Sequence, residues 1–182
     1  MELKETPISE KTVYKGIIVR VRQDKAKLID GSIVSREVVE HPGGVAIFAI
    51  DENEHVVMVR QYRYPLGEEV LELPAGKLEP GEDPRHCAFR ELEEETGILP
   101  GELLYMGCSY SSPGIFTEKI HLFFAQNLTQ GQAHPEEGEF LDVMRVPLKE
   151  LLNMIYESKI CDAKTIVGIT KGTMLLRGKA FT

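Results

Sequence analysis

The sequence predicts an α/β fold in which helices cover a mixed β-sheet. Strand-like segments come first along the chain, followed by a helix, further strands and two more helices, an order typical of a sheet covered by helices. The segment Val45–Ile50 is a nearly continuous apolar run, as expected for a strand buried on both faces. Apolar residues make up 42% of the 182 residues, which is enough for the packed core of one domain.

Strand-like segments fill the chain up to residue 73, after an irregular start over residues 1–11. They are rich in β-branched and aromatic residues, and turn-forming pairs such as Asp30-Gly31 separate them. Residues 51–54 are expected to close a hairpin, and residues 74–81, with two prolines and two glycines, form a loop. The predicted strands are Val13–Val21 with an interruption at Lys15-Gly16, Ile33–Val39, Val45–Ile50, Val56–Tyr62 and Glu69–Leu73.

A helix is predicted over Pro84–Thr96. Asp83 is a favourable N-cap, Pro84 suits the first helical position, and Gly97 is a typical stop. Beyond this helix, Gln130–Gly138 is a polar, acidic loop. The remaining predicted elements are strands at Leu103–Tyr110, Lys119–Ala125 and Phe140–Val146 and helices at Pro147–Tyr156 and Ala163–Leu176.

The composition excludes several classes of function. Asp and Glu number 29 against 21 Lys and Arg, and the resulting net charge of -8 makes non-specific binding to nucleic acid or to an anionic membrane unfavourable. No apolar run approaches the roughly 18 residues of a spanning helix, and the polar N-terminus lacks the apolar region of a signal peptide. Three widely spaced cysteines form no CxxC pair, so we expect a cytoplasmic protein with reduced thiols.

The predicted helix carries an unusual group of carboxylates. Glu91, Glu94 and Glu95 fall at positions i, i+3 and i+4, which places them on one helical face. Such like-charge pairs destabilise a helix by about 0.2–0.5 kcal/mol each, and the C-terminal end of the dipole also disfavours anions. A divalent cation explains the arrangement, because Mg²⁺ prefers oxygen ligands. The alternative is a solvated acidic face.

The context of these carboxylates favours the metal site. Gly76, Glu82, Arg90-Glu91, Glu94-Glu95 and Gly97 fit every specified position of the 23-residue pattern GX5EX7REUXEEXGU, where U is aliphatic. In this the chain resembles the Nudix hydrolases. The resemblance implies an α/β/α sandwich with a short antiparallel strand segment at its N-terminus. It also implies a hydrolase of nucleoside diphosphates linked to another group, with two or more Mg²⁺ or Mn²⁺ ions in each site.

The resemblance also implies roles for the residues of the motif. The metal ligands would be Glu91, Glu94, Glu95 and the carbonyl of Ala75, with Glu94 counted among the catalytic residues as well. Arg90 would balance charge by pairing with a motif glutamate such as Glu82. Gly76 and Gly97 complete the structural residues of the motif.

Segments outside the motif resemble the bacterial ADP-ribose pyrophosphatases. These segments are REVVEHPGGVAIF (36–48), QYRYPLGEEVLELPAGK (61–77), SSPGIFTEKIHLFFA (111–125) and EEGEFLDVMRVPL (136–148), and Pro113 lies sixteen residues after Gly97. The likeness implies hydrolysis of ADP-ribose to AMP and ribose 5-phosphate. It implies Arg36, Arg63 and Glu118 as substrate contacts. In the acidic loop, Glu137 aligns best with the functional glutamate of relatives and Glu139 second.

Two other functions stay open from the sequence. The first is hydrolysis of another nucleoside diphosphate derivative, such as a nucleotide sugar or a dinucleotide. The second is a non-catalytic ligand sensor, which the complete set of motif glutamates disfavours. The resemblance further implies a homodimer, with residues 1–42 as the strand segment that mediates dimerisation and residues 43–182 as the hydrolase domain.

Overall fold

The computed structural model describes residues 3–178, and the chain divides into two compact units. The first unit comprises Met1–Gly43 and Tyr110–Lys119, and the second comprises Gly44–Ser109 and Ile120–Thr182. The segments predicted from the sequence, 1–42 and 43–182, extend beyond this range. Their ends, residues 1–2 and 179–182, lie outside the described residues. The role of the N-terminal segment in dimerisation stays a prediction.

The first unit is built on an antiparallel sheet. Its strands are β1 (Thr6–Ser9), β2 (Thr12–Lys15), β3 (Arg20–Lys27) and β4 (Ile33–Glu40). Strand β3 pairs with β4 along its whole length, with β2 over its first half and with β1 over its second. The irregular start predicted over residues 1–11 is wrong, and the segment Val13–Val21 divides at the interruption predicted at Lys15-Gly16 into β2 and the beginning of β3. The turn closed by the Gly16 amide on the Val19 carbonyl, at 2.9 Å, separates β2 from β3, and the early residues pair with β3.

The second unit, as far as residue 178, contains two sheets. Its strands are β5 (Gly44–Ala49), β6 (His55–Arg63), β7 (Glu68–Glu72), β8 (Ala75–Lys77), β9 (Ile98–Tyr110), β10 (Lys119–Gln130) and β11 (Leu141–Pro147). One sheet has the order β8-β5-β10-β9, and the other has the order β11-β6-β7. The first sheet is mixed, as predicted, because β10 is parallel to β5 while β8 is antiparallel to it. The turn predicted at residues 51–54 is present, because the Asp51 amide donates to the His55 carbonyl at 3.0 Å and Ile50 forms an antiparallel bridge with Val56. The pairing does not continue into a hairpin, since β5 and β6 join different sheets.

Among the described residues, three helices accompany these sheets, namely α1 (Pro84–Thr96), α2 (Leu148–Tyr156) and α3 (Ala163–Leu176). The predicted ends of α1 are confirmed. The Asp83 carboxylate accepts hydrogen bonds from the amides of Arg85 and His86, at 2.9 and 3.2 Å, and Gly97 ends the helix at φ 70°. Within residues 3–178, no helix has both the length and the apolar character required to cross a bilayer.

Strand β5 lies in the centre of the core. Its side chains point alternately towards α1 on one face and towards α2 and α3 on the other. On one face, Ile47 and its neighbours pack with Leu92 of α1. On the other face, Phe48 packs with Leu151 of α2 and Ile169 of α3. Helix α3 comes so close that a side-chain carbon on Gly172 would lie 2.4 Å from the Phe48 ring. The predicted α/β fold with helices on both faces of a mixed sheet is confirmed.

Candidate active site

The carboxylates of α1 lie against the backbone of β8. Because α1 packs Leu92 into the core, Glu91, Glu94 and Glu95 fall together on another side of the helix. The Ala75 amide donates a hydrogen bond to Glu95 Oε2 at 3.1 Å. A side-chain carbon on Gly76 would lie 1.8 Å from the Glu91 carboxylate carbon. This approach of strand and helix therefore requires glycine at position 76.

Arg90 contacts three carboxylates of the motif. Its Nε and Nη2 atoms donate to the two Glu82 oxygens at 3.0 and 3.1 Å, and Nη1 donates to Glu94 Oε2 at 2.8 Å. Nη2 also lies 2.9 Å from Glu91 Oε1. Hydrogen bonds from Arg90 lower the pKa of Glu82 to about 2 and raise the pKa of Arg90 itself. The guanidinium thus offsets part of the negative charge concentrated on α1.

The other helix carboxylates have raised pKa values. Burial raises the pKa of Glu91 to about 7, against the opposing charge of Arg90, and the charges of Glu94 and Glu139 add to the rise. Burial raises the pKa of Glu95 well above its ordinary value, and the charges of Glu139 and Glu91 act in the same direction. The raised pKa values mean that Glu91 and Glu95 favour the protonated form in this environment. A positive charge placed beside them would favour the ionised carboxylates.

The donors at this place fit a hard divalent cation. Glu95 is only 2% exposed, and its Oε1 atom has no hydrogen-bond partner among residues 3–178. A buried carboxylate oxygen without a partner is costly, and a cation removes that cost. In the described part of the chain, no three His, Cys, Asp or Glu side chains are arranged as metal ligands, and Arg90 contacts Glu91 and Glu94. Oxygen ligands of this kind suit Mg²⁺ or Mn²⁺.

The acidic loop provides further carboxylates. Residues 136–140 line a cavity of about 460 Å³ together with Gln61 and Tyr62. Glu137 is exposed, whereas Glu139 is partly buried. The charge of Glu139 helps to raise the pKa of both Glu91 and Glu95 beside the effect of burial, so Glu139 interacts with the carboxylates of α1.

The predicted substrate residues have charged partners within their own units. In the first unit, Arg36 Nη2 donates to Glu5 Oε1 at 2.7 Å. In the same unit, Glu118 Oε1 lies 3.2 Å from His41 Nδ1. In the second unit, Arg63 contacts Glu72.

The structure also places two charged residues beside the site that the sequence did not indicate. Glu72 is 2% exposed, and Lys164 contacts it from α3. In the sequence, Glu72 is a charged residue between two leucines, Leu71 and Leu73. The same pattern is expected for a solvent-facing position of a strand, so it did not indicate that Glu72 is buried.

The chain is similar to known proteins in sequence and in fold. The family model for the NUDIX domain matches residues 40–166. A methanol dehydrogenase activator from Bacillus methanolicus is 41% identical over 91% of this chain and 91% of its own. An ADP-ribose pyrophosphatase from Bacillus subtilis (strain 168) is 37% identical over 92% of this chain and 91% of its own. The crystal structure of an ADP compounds hydrolase matches with a TM-score of 0.86, covering 100% of both chains at 22% identity, which is a likeness of fold.

Proposed function

The chain belongs to the Nudix hydrolase family, and we propose that it hydrolyses the diphosphate of ADP-ribose to AMP and ribose 5-phosphate. The buried carboxylate cluster of α1 against Ala75 and Gly76 carries this proposal, because it provides a place for the divalent cations that diphosphate hydrolysis needs. The 37% identity to an ADP-ribose pyrophosphatase over 92% of this chain supports the choice of substrate.

Glu91, Glu94, Glu95 and the Ala75 carbonyl would hold the cations in this proposal. When bound, such ions would supply positive charge that offsets the negative charge of the diphosphate and makes the attacking water more acidic. The protein contributes two carboxylates held beside β8, since the Ala75 amide donates to Glu95 and Gly76 leaves room for Glu91. Arg90 keeps the surrounding carboxylates in place through Glu82 and Glu94.

A carboxylate of the acidic loop would act as the general base. A water oxygen forms a bond to one phosphorus, the bond from that phosphorus to the bridging oxygen breaks, and the departing phosphate keeps the electron pair. The proton of the water passes to the loop carboxylate. The resemblance favours Glu137, whereas the interaction of Glu139 with Glu91 and Glu95 supports Glu139. We place Glu139 first and Glu137 second.

Arg36, Arg63 and Glu118 would contact the substrate, as the resemblance to ADP-ribose pyrophosphatases implies. We also propose a homodimer formed through the first unit. Exposed apolar side chains on its strands support this, namely Ile8, Val13, Tyr14 and Ile33. The free thiols Cys87, Cys108 and Cys161 support a cytoplasmic location.

A substrate panel tests the proposed reaction. Purified protein with Mg²⁺ or Mn²⁺ is given ADP-ribose, a nucleotide sugar, a dinucleotide and a nucleoside triphosphate, and the products are identified by mass. We expect the highest kcat/KM for ADP-ribose, with AMP and ribose 5-phosphate as products. A clear preference for another compound would overturn the proposed substrate and leave the family assignment intact. Hydrolysis in ¹⁸O-labelled water identifies the phosphorus that is attacked.

A second candidate function is activation of a dehydrogenase by the same hydrolytic site. The observation that favours it is the 41% identity to a methanol dehydrogenase activator over 91% of both chains. The test adds the protein to a methanol dehydrogenase and measures the rate of alcohol oxidation. The Glu95→Gln variant serves as the control, because activation that depends on hydrolysis should be lost in it.

A further inference from the structure

A buried carboxylate in the second unit joins two cationic side chains. Arg63 donates from Nε and Nη2 to the two oxygens of Glu72, each at 2.7 Å, and Lys164 Nζ contacts Glu72 Oε2 as well. Burial acts to raise the pKa of Glu72, but hydrogen bonds from Arg63 and the charge of Lys164 hold it below its ordinary value. Glu72 is therefore ionised and is bound to both cations.

The bond to Glu72 leaves one edge of Arg63 available. A guanidinium is a rigid fork, so two bonds to one carboxylate set its orientation. Its third nitrogen, Nη1, donates no hydrogen bond to a described residue, and the side chain is 38% exposed. Arg63 lines a cavity of about 510 Å³ with Leu66, Glu72 and Lys164. Its free edge is thus a donor of fixed direction.

Lys164 is itself held in place at the start of α3. Its Nζ atom contacts Asp162 Oδ2 at 3.0 Å, and the same oxygen accepts from the Thr165 amide at 3.0 Å. The Leu73 amide donates to Thr165 Oγ1 at 2.9 Å, which joins the end of β7 to α3. Because Lys164 and Arg63 Nη2 contact the same Glu72 oxygen, loss of Lys164 would release one side of the carboxylate that orients Arg63.

Arg63 is also linked electrostatically to the proposed metal site. Burial dominates the raised pKa of Glu95, and the positive charge of Arg63 opposes it. Hydrogen bonds to Glu72 raise the pKa of Arg63 most, and the negative charge of Glu95 adds to that rise. The backbone makes a second connection, since Glu72 stands three residues before Ala75, whose amide holds Glu95.

We propose that Lys164 is a positioning residue, which holds the Glu72 carboxylate so that the free edge of Arg63 meets an oxygen of the substrate diphosphate. The proposal rests on the proposed function, in which Arg63 contacts substrate. Lys164 acts through Glu72 and Arg63 and does not touch the substrate. Its loss should therefore weaken substrate binding, with less effect on the bond-breaking step.

The experiment is a double-mutant cycle between Lys164 and Glu72. Lys164→Met removes the ammonium and keeps an unbranched side chain, while Lys164→Arg restores a cation. Glu72→Gln removes the buried carboxylate through which Lys164 would act, so Lys164→Met in that background shows whether its effect depends on Glu72. Lys159→Met is the matched control, because Lys159 is 65% exposed and pairs only with nearby Glu157 among the described residues. For each variant, KM, kcat and the melting temperature are measured.

Lys164→Met should raise KM roughly ten-fold and change kcat by less than about two-fold. This is the effect expected when the variant loses a charge-assisted hydrogen bond from Arg63 to the bound substrate. Lys164→Arg should restore KM to within about two-fold, and Lys159→Met should leave it unchanged. In the Glu72→Gln background, adding Lys164→Met should change KM by less than about two-fold, because the residue acts through that carboxylate.

Two results would overturn the proposal. One is an equal effect of Lys164→Met on KM in both backgrounds, which would mean that Lys164 acts independently of Glu72. The other is an unchanged KM with a lowered melting temperature, which would give Lys164 a structural role alone. The substrate in all assays is the compound that the wild type cleaves fastest in the panel. A wrong assignment of ADP-ribose therefore shows in the wild type, separately from the variants.

Discussion

A side-chain carbon placed on Gly76 would lie 1.8 Å from the carboxylate carbon of Glu91. Real contacts of this kind do not occur, so the two positions depend on each other. Glu91 can occupy its half-buried place on α1 only because β8 presents backbone without a side chain there. The absence of a side chain at Gly76 and the position of Glu91 are thus sterically coupled, although fifteen positions separate the two residues in the chain.

Gly76→Ala should displace Glu91 and lower kcat by about a hundred-fold, since losing one charge-stabilising group typically costs that much. Steady-state kinetics at saturating Mg²⁺ measures the effect. Gly114→Ala is the stability control, because its added carbon meets no atom within 4 Å and should leave the melting temperature unchanged. Wild-type kcat in Gly76→Ala would show that Glu91 moves without consequence and is not a metal ligand.

Glu94→Gln and Glu95→Gln should each lower kcat by at least about two to three decades, because each removes a carboxylate proposed to hold the metal. The fold should persist in both, since Gln keeps the size of each side chain and α1 loses like-charge repulsion. Glu93→Gln is the matched control on the same helix, because Glu93 occupies a position of the motif at which no residue type is specified. Near-normal turnover in both motif variants would remove the metal site from α1.

Glu139→Gln should lower kcat strongly and leave KM and Mg²⁺ affinity nearly unchanged, because a base acts on the water in the transition state. Glu137→Gln should have the smaller effect, and Glu136→Gln should behave as the wild type. The comparison is made on kcat over a range of pH, where loss of the base changes the shape of the profile. A larger loss of kcat in Glu137→Gln than in Glu139→Gln would mean that the base is Glu137, still in the same loop. Full activity in both variants would exclude the loop from catalysis.

The metal-free protein should become less stable as the pH rises from about 4.5 to 7, because the pKa of Glu91 is raised to about 7 by burial. In that window the unfolded chain releases the proton while the folded protein retains it, so stability falls with increasing pH. Above pH 7 the loss is complete. The melting temperature of the wild type, measured in EDTA, should therefore drop relative to that of Glu91→Gln, which cannot ionise at this position. A difference that is constant across this range would contradict the raised pKa.

The helix that carries the site is a case in which local sequence was sufficient. Asp83 and Pro84 at its start and Gly97 at its end act through contacts within a few residues, so the bounds Pro84–Thr96 follow from the chain alone. Strand pairing, in contrast, could not be predicted from local sequence. The turn after β5 looks like that of a hairpin, yet β5 and β6 pair with partners from distant parts of the chain and enter different sheets.

The sequence by itself determined the family, the α/β class and the motif residues of α1, because these depend on residue type and spacing within a short stretch. Only the tertiary structure showed that Glu72 is buried with Arg63 and Lys164, which are separated from it by 9 and 92 positions. The fold also brings Glu139 near enough for its charge to add to the raised pKa values of Glu91 and Glu95, which burial raises most. The physical reason is that burial and Coulomb interactions depend on distances in space. A one-dimensional pattern records a charged residue but not the partners that the folded chain brings to it.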